Sequence, residues 1–247
     1  MEIPILFEND DVVVINKPVG VMVHPDGFHT DATVADWFLE KYPESKDVGE
    51  AQSSLDGEEL ERSGIVHRLD RDTSGVLILA KNQDAHEHLK MQFHDRLAKK
   101  EYRAFVYGAI REKWGMIDRP IGRSAKNFRM RSAQRGARGT MREAQTEWEC
   151  IGQGRYEDED FSYLKLMPKT GRTHQIRVHL RAIERPVVGD VLYSAHKIEK
   201  SNNLGMERMA LHAHMLEILL PDGEMGRFIA PMPQAFDDAA ERISREE

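Results

Sequence analysis

Gly64-Ile65-Val66-His67-Arg68-Leu69-Asp70-Arg71-Asp72-Thr73-Ser74-Gly75-Val76-Leu77-Ile78-Leu79-Ala80-Lys81 is the stretch on which the fold is read. Residues 64–69 and 75–81 read as two short strands, and between them lies a polar bend. Seven of the nine residues from His67 to Gly75 carry side chains that donate or accept hydrogen bonds. A polar bend between rigid elements holds its groups in fixed positions, which is where catalytic side chains are best aimed. Asp70 sits between Arg68 and Arg71, and nearby cations keep a carboxylate ionised, as a nucleophile requires. The same residues suit a turn stapled by its own Asp and Thr side chains. The physics of the segment leaves both readings open.

Working outward, residues 11–16 read as a buried strand ended by Lys17-Pro18. Val34, Trp37 and Phe38 fall at helical spacing over 33–42, with Pro43 as the stop. Residues 44–63 are polar, acidic and aperiodic, the pattern of a mobile surface loop. Asn82 caps a helix running to about Arg96, with Leu89 and Phe93 as an i, i+4 pair. The period then changes to two: Tyr102, Ala104, Val106 and Gly108 alternate with Arg103, Phe105 and Tyr107, a strand apolar on both faces. Further strands are predicted over 140–151, 161–167, 209–220 and 227–230, and helices over 173–183 and 234–243. The inventory is α+β, and its helices do not alternate regularly with strands, which argues against a βαβ barrel or a doubly wound sheet.

The chain has 247 residues, 40% apolar and 31% charged, with one cysteine, Cys150. That composition excludes a disordered chain, and no apolar run approaches the roughly 18 residues of a membrane helix. A lone cysteine excludes a disulfide framework and multi-cysteine metal sites, so a cytoplasmic address is expected. The net charge of -7 conceals a segregation. Residues 96–142 hold fourteen Lys/Arg against three acids, whereas 40–62 hold eight acids against three bases. Such segregation concentrates a positive field whose usual partner is a polyanion; two solvated stretches are the bland alternative.

Phosphate-loop, dinucleotide, zincin and hydrolase motifs are absent. His86/His88 and His212/His214 form His-x-His pairs with no third ligand nominated, so no metal is expected. A second polar stretch is Lys169-Thr170-Gly171-Arg172-Thr173-His174-Gln175-Ile176-Arg177-Val178-His179-Leu180-Arg181. Ile176, Leu180 and Ile183 make one apolar stripe, while His174, Arg177 and Arg181 gather elsewhere. Arginines at a helix N-terminus and a like-charged Arg177/Arg181 pair each carry a cost. An anion meeting them there, a phosphate or a buried carboxylate, would offset it. In a third stretch, Lys99 to Gly108, basic residues interleave with aromatics, which suits phosphates and stacked bases and equally suits ordinary core packing.

Together these stretches resemble the RluA-type pseudouridine synthases. His67 to Gly75 is similar to their His-Arg-Leu-Asp-x-x-Thr-Ser-Gly signature, Lys100 to Gly108 to their Lys-x-Tyr-x-Ala-x-Val-x-Gly strand, and Leu166 to Leu180 to their Leu-x-Pro-x-Thr-Gly-Arg-x-His-Gln-Ile-Arg-x-His-Leu segment. Asn16-Lys17-Pro18, Val23-His24-Pro25, Val188-Gly189-Asp190 with Tyr193, and Leu211-His212-Ala213 are further matches, in family order over nearly the whole chain.

The resemblance implies a central, mostly antiparallel bent sheet flanked by helices and crossed by an active-site cleft, in a single catalytic domain spanning 1–247. It implies that Asp70 acts at the ribose C1′ while uracil detaches, rotates and rejoins through C5. Arg177 would pair with Asp70, Tyr102 would stack on the target base, and Arg68 would fill the space of the flipped nucleotide. Arg71, Thr73, Lys100, Arg172, His174, Gln175 and Arg181 are the expected RNA contacts around it. The family needs no cofactor. Many relatives carry an N-terminal S4-type domain, whereas this sequence opens at Ile5-Leu6-Phe7-Glu8-Asn9-Asp10, so RNA affinity is expected to rest on the catalytic domain, with a basic arm over about 119–142 as an extra contact. That arm contains Arg123, Lys126, Arg129, Arg131, Arg135, Arg138 and Arg142. The Leu-His-Ala strand, often ended by His-Pro in relatives, here ends in Leu220-Pro221. The expected substrate is rRNA, 23S foremost, or tRNA, and the default state is a monomer. A catalytically idle RNA-binding or ribosome-assembly protein is the alternative.

Overall fold

Thr33 shows how local chemistry sets the elements. Its side chain accepts the Asp36 N–H at 3.3 Å while the Asp36 carboxylate accepts the Thr33 N–H at 2.8 Å. This reciprocal cap opens α1 (Val34–Lys41), and Pro43 follows its end. The structure is a computed structural model describing residues 1–25, 31–50, 52–53, 59–60, 63–125, 127, 129–134, 137–198 and 202–244. In chain order the strands are β1 (Ile5–Glu8), β2 (Val12–Lys17), β3 (Gln52–Ser53), β4 (Glu59–Leu60), β5 (Ser74–Ala80), β6 (Lys99–Tyr107), β7 (Trp114–Asp118), β8 (Ile121–Arg123), β9 (Arg131–Ser132), β10 (Arg138–Arg142), β11 (Gln145–Tyr156), β12 (Glu159–Pro168), β13 (Leu211–Leu219) and β14 (Met225–Ile229). The remaining helices are α2 (Gln83–His94), α3 (Gln175–Ala182), α4 (Ala195–Ile198) and α5 (Gln234–Ser244). The class is α+β, and every strand pairing whose register is described is antiparallel.

The chain divides into two compact units, 1–100 with 213–231, and 101–212 with 232–247. In the first, the strand order is β1-β2-β5-β13, with β14 beside β13. All seven residues of β5 are buried, because both faces are covered. Val12, Val14, Ile78, Leu89 and Ile218 belong to this unit's core. In the second unit the order is β6-β12-β11-β7, and a small separate sheet runs β10-β8-β9. Phe105 stacks on Tyr163 at 4.3 Å and packs with Phe161, Leu164, Leu180 and Phe236. Each such buried side chain contributes about 1.5–3 kcal/mol. Among the described residues, no helix is long and apolar enough to cross a membrane.

Three sequence expectations need correction. Residues 64–69 do not form a strand; a single bridge joins Ile65 to Leu79. The His67 ring nitrogen Nε2, in place of a backbone carbonyl, accepts the Ile78 N–H at 3.1 Å, so the ladder stops there. Residues 140–151 break into β10 and β11, because the chain bends at buried Ala144, whose carbonyl accepts the Arg119 N–H. Helix α3 begins at Gln175 rather than Thr173, since His174 adopts a left-handed conformation at φ 56°. Of the acidic segment, 51, 54–58 and 61–62 lie outside the described residues, as do Lys126 and Arg135 of the basic arm.

Candidate active site

The first unit builds the Asp70 bend from the end of β2. Lys17 closes that strand with its side chain fully buried. Its ammonium donates to the carbonyls of Pro18 at 2.8 Å, Val21 at 2.7 Å and Arg71 at 3.1 Å. The Arg71 carbonyl also accepts the Gly20 N–H at 2.9 Å, and the Arg71 Nε donates back to the Gly20 carbonyl at 3.1 Å. The carbonyl of the residue after Asp70 is thus clamped by a buried cation and by a neighbouring turn. Within the bend, the Asp70 carbonyl accepts the Thr73 N–H at 3.1 Å, and Leu69 and Thr73 are buried while Asp70 is half-buried. Gly75 closes the bend at φ +117°, where a Cβ would come within 2.1 Å of the Ala213 carbonyl oxygen. Only glycine fits that approach.

Arg68 is exposed and donates through Nη1 to His24 Nε2 at 2.9 Å, while His24 Nδ1 bonds the Pro25 carbonyl. Those two contacts assign His24 as the neutral Nδ1–H tautomer. His67 stacks on Phe93 with ring centres 4.3 Å apart. Its pKa is pushed down to about 3, by desolvation first and by the Lys100 charge second. A neutral His67 is what the Ile78 N–H requires of Nε2. Lys100 itself is half-buried, and desolvation lowers its pKa.

The second unit holds the other motifs. Tyr102 is half-buried on β6, opposite Leu166 and packed against that unit's core. Arg177 is 5% exposed and makes a forked ion pair with Asp190, Nε to Oδ2 at 2.7 Å and Nη2 to Oδ1 at 2.9 Å. Asp190, itself 1% exposed, accepts the N–H groups of Leu192 and Tyr193 as well. The carboxylate therefore meets four donors, the condition for burying a charge pair. Tyr193 lies under both arginines of the helix, 5.0 Å from Arg177 and 5.9 Å from Arg181, in cation–π contact. Its hydroxyl also meets His174 Nδ1 and accepts the Arg131 N–H.

Gln175 is buried, and its amide is spent inside the unit. Oε1 accepts from the Thr170 hydroxyl and the Arg172 N–H, and Nε2 donates to the Gln145 carbonyl and the Thr146 hydroxyl. The Thr146 hydroxyl in turn meets His179 Nδ1, and His179 Nε2 bonds the Arg119 carbonyl. Burial lowers the His179 pKa, consistent with a neutral ring in that chain. Gln175, expected at the RNA surface, is thus a framework residue that fixes the 170–175 turn; Thr73 is likewise buried. Arg123 and Arg129 are exposed, and Arg131 and Arg172 are half-buried. Among the described residues, no group of three His, Cys, Asp or Glu is arranged to hold a metal ion.

Sequence reasoning assigned no role to Lys17, His24, Asp190 or Tyr193, although each lies in a matched motif. The signal was there: a lysine between a strand and a proline, and an aspartate three residues before a tyrosine, both within apolar surroundings.

An α+β chain with antiparallel sheets, carrying an aspartate on a backbone-clamped bend that runs into Thr73-Ser74-Gly75, has the outline of an enzyme's catalytic region. The RNA pseudouridylate synthase family matches residues 11–182, and the chain belongs to that family. An uncharacterised RNA pseudouridine synthase of Synechocystis is 38% identical over 94% of this chain and 66% of its own length. The ribosomal large subunit pseudouridine synthase D of Borreliella burgdorferi is 37% identical over 95% of this chain and 66% of its own. An uncharacterised RNA pseudouridine synthase of Bacillus subtilis is 35% identical over 99% of this chain and 74% of its own. Relatives named as synthase D agree with the RluA-type resemblance. The chain spans 60% to 66% of the length of several curated relatives. Among solved structures, human RNA pseudouridylate synthase domain containing 1 superposes with a TM-score of 0.73 at 27% identity, covering 94% of this chain and 84% of that one.

Proposed function

We propose that this chain is an RNA pseudouridine synthase working as a single catalytic domain and as a cytoplasmic monomer. Its substrate is a uridine in structured RNA, rRNA (23S foremost) or tRNA. Asp70 is the catalytic carboxylate, with Tyr102 and Arg177 in the roles the resemblance gives them. In the reaction the N1–C1′ bond breaks and a C5–C1′ bond forms, the C5 proton leaves and N1 regains a proton, so no redox partner is needed.

The observation that carries the reading is the bracing of Asp70. The Arg71 carbonyl is held by both Lys17 and Gly20, and the Asp70 carbonyl by Thr73. A nucleophile must be held in a near-attack position, and a rigid backbone on both sides of the carboxylate supports that role. The test is tritium release from RNA labelled at uridine C5. Wild-type protein releases label in proportion to pseudouridine formed, and Asp70→Asn releases none while folding and binding RNA as before. Turnover near wild type in Asp70→Asn would remove Asp70 from the mechanism. Binding without label release by the wild type would favour the idle RNA-binding alternative.

A further inference from the structure

We infer that the cleft between β8, β10 and the 171–173 turn is a subsite for a phosphodiester of the RNA backbone, a reading that rests on the RNA substrate proposed above. The cleft has a volume of about 510 Å³ and is lined by Arg123, Arg131, Arg142 and Arg172, together with Gly139 and Thr140. That volume falls in the ~300–1,000 Å³ range of ligand sites. It lies wholly within the second unit.

The small sheet concentrates charge in a way packing does not explain. Arg123 on β8 is the register partner of Arg131 on β9 and of Arg138 on β10. Three like charges on one rung repel, since directly opposed cross-strand charges destabilise a sheet. Arg142 pairs with Ile121 two residues along β8, and Arg172 faces the same cleft from the other side. Elsewhere in the unit arginines are absorbed into the fold: Arg177, Arg103 and Arg155 meet Asp190, Glu101 and Asp158, while Arg119, Arg181, Arg185 and Arg242 donate side-chain N–H groups to backbone carbonyls. Among the described residues, no carboxylate lies within ion-pair distance of Arg123, Arg131, Arg138, Arg142 or Arg172. The bonds these residues do make fix backbone rather than neutralise charge: the Arg131 N–H donates to Tyr193, and Arg172 Nε donates to the Glu143 carbonyl.

The backbone is shaped for the same purpose. β10 carries a register shift between Arg138 and Arg142, and Gly139 within it sits at φ +72° with nothing within 4 Å of a Cβ position. The irregularity sets four steps of β10 against two of β8 and leaves open space beside the glycine. Planar guanidinium groups converging on an open cleft match a phosphate, which each grips through two N–H bonds.

The experiment measures affinity for a fluorescent 20-nucleotide hairpin RNA across a KCl series, for wild type, Arg123→Gln, Arg142→Gln, Arg172→Gln and the Arg142→Gln/Arg172→Gln double variant. Thermal unfolding confirms each fold, and Arg155→Gln serves as a control away from the cleft. Each cleft variant is expected to weaken binding several-fold and to flatten the log Kd against log [KCl] slope by about one unit, the double variant by about two. Inorganic phosphate, added at constant ionic strength, is expected to displace the RNA from wild type more effectively than chloride and to lose that advantage in the double variant. Slopes unchanged in folded variants would overturn the inference. So would phosphate shifting the arginine Nε–H NMR signals while the RNA slope stays at the wild-type value, which would make the cleft a site for a free phosphate compound. No tritium release by the wild type, with the variants' slopes flattened as expected, would overturn the proposed reaction and leave the subsite standing.

Discussion

The Asp70 bend and the small sheet β8–β10 are both polar and both rich in arginine, yet they are built in opposite ways. Around the bend, charge is absorbed into the protein. Buried Lys17 is spent on three carbonyls, and Arg68 is held on His24. In the small sheet, three arginines share one rung with no carboxylate beside them among the described residues. The second unit repeats the contrast internally, because Arg177 is forked onto Asp190 while Arg142 and Arg172 face an open cleft. Charge that is satisfied internally holds backbone in place; charge left facing solvent at a repulsive cost is kept for an external anion.

That comparison breaks if the braced charges prove dispensable. The largest expected effect is Asp70→Asn, which should lower pseudouridine formation by about a thousandfold or more without changing RNA affinity, read by label release and by binding. Asp190→Asn should cost about 3–5 kcal/mol of stability, because it removes the buried negative charge of the forked Arg177 pair; urea unfolding measures it. Lys17→Met removes one buried donor group from three carbonyls and should cost about 2–4 kcal/mol. It should also lower kcat more than it raises KM, since the Arg71 carbonyl loses its clamp. A Lys17→Met enzyme with wild-type kcat would show that the bend needs no bracing.

A last expected effect concerns pH. His67 has a folded pKa near 3, below its unfolded value, so the unfolded chain binds the extra proton between about pH 3 and 6.5. The stability from neutral His67 is complete above about pH 6.5 and is lost as pH falls toward 3, with a slope of at most about 1.4 kcal/mol per pH unit. His67→Gln, which keeps an acceptor for the Ile78 N–H, should flatten the stability-against-pH curve in that window relative to wild type. Parallel curves would exclude His67 as the titrating group.

Much of the fold was legible because period and punctuation coincide: Asn82 caps where it was expected to, α1 falls on the spacing of Val34, Trp37 and Phe38, and β5 and β6 fall on their apolar runs. Residues 64–69 misled because alternation shows apolar character, whereas strand formation needs a partner, and there a histidine side chain took the N–H a neighbouring strand would have used. The anion beside the α3 arginines was foreseen as a phosphate or a buried carboxylate, and for Arg177 the second unit supplies Asp190. Its identity was illegible because ion pairing across thirteen residues leaves no periodic trace. Gln175 was expected as an RNA contact from the resemblance, and its hydrogen bonds within the unit were illegible for the same reason. Its four partners come from β11 and from the turn before the helix, and only the folded chain brings them together.

The central claim is tested most directly by mapping pseudouridine in total RNA from cells lacking this protein, complemented with wild type or with Asp70→Asn. The account predicts that one or a few sites disappear without the protein, return with wild type and stay absent with Asp70→Asn. Sites restored by Asp70→Asn, or a map unaltered by removing the protein, would contradict it.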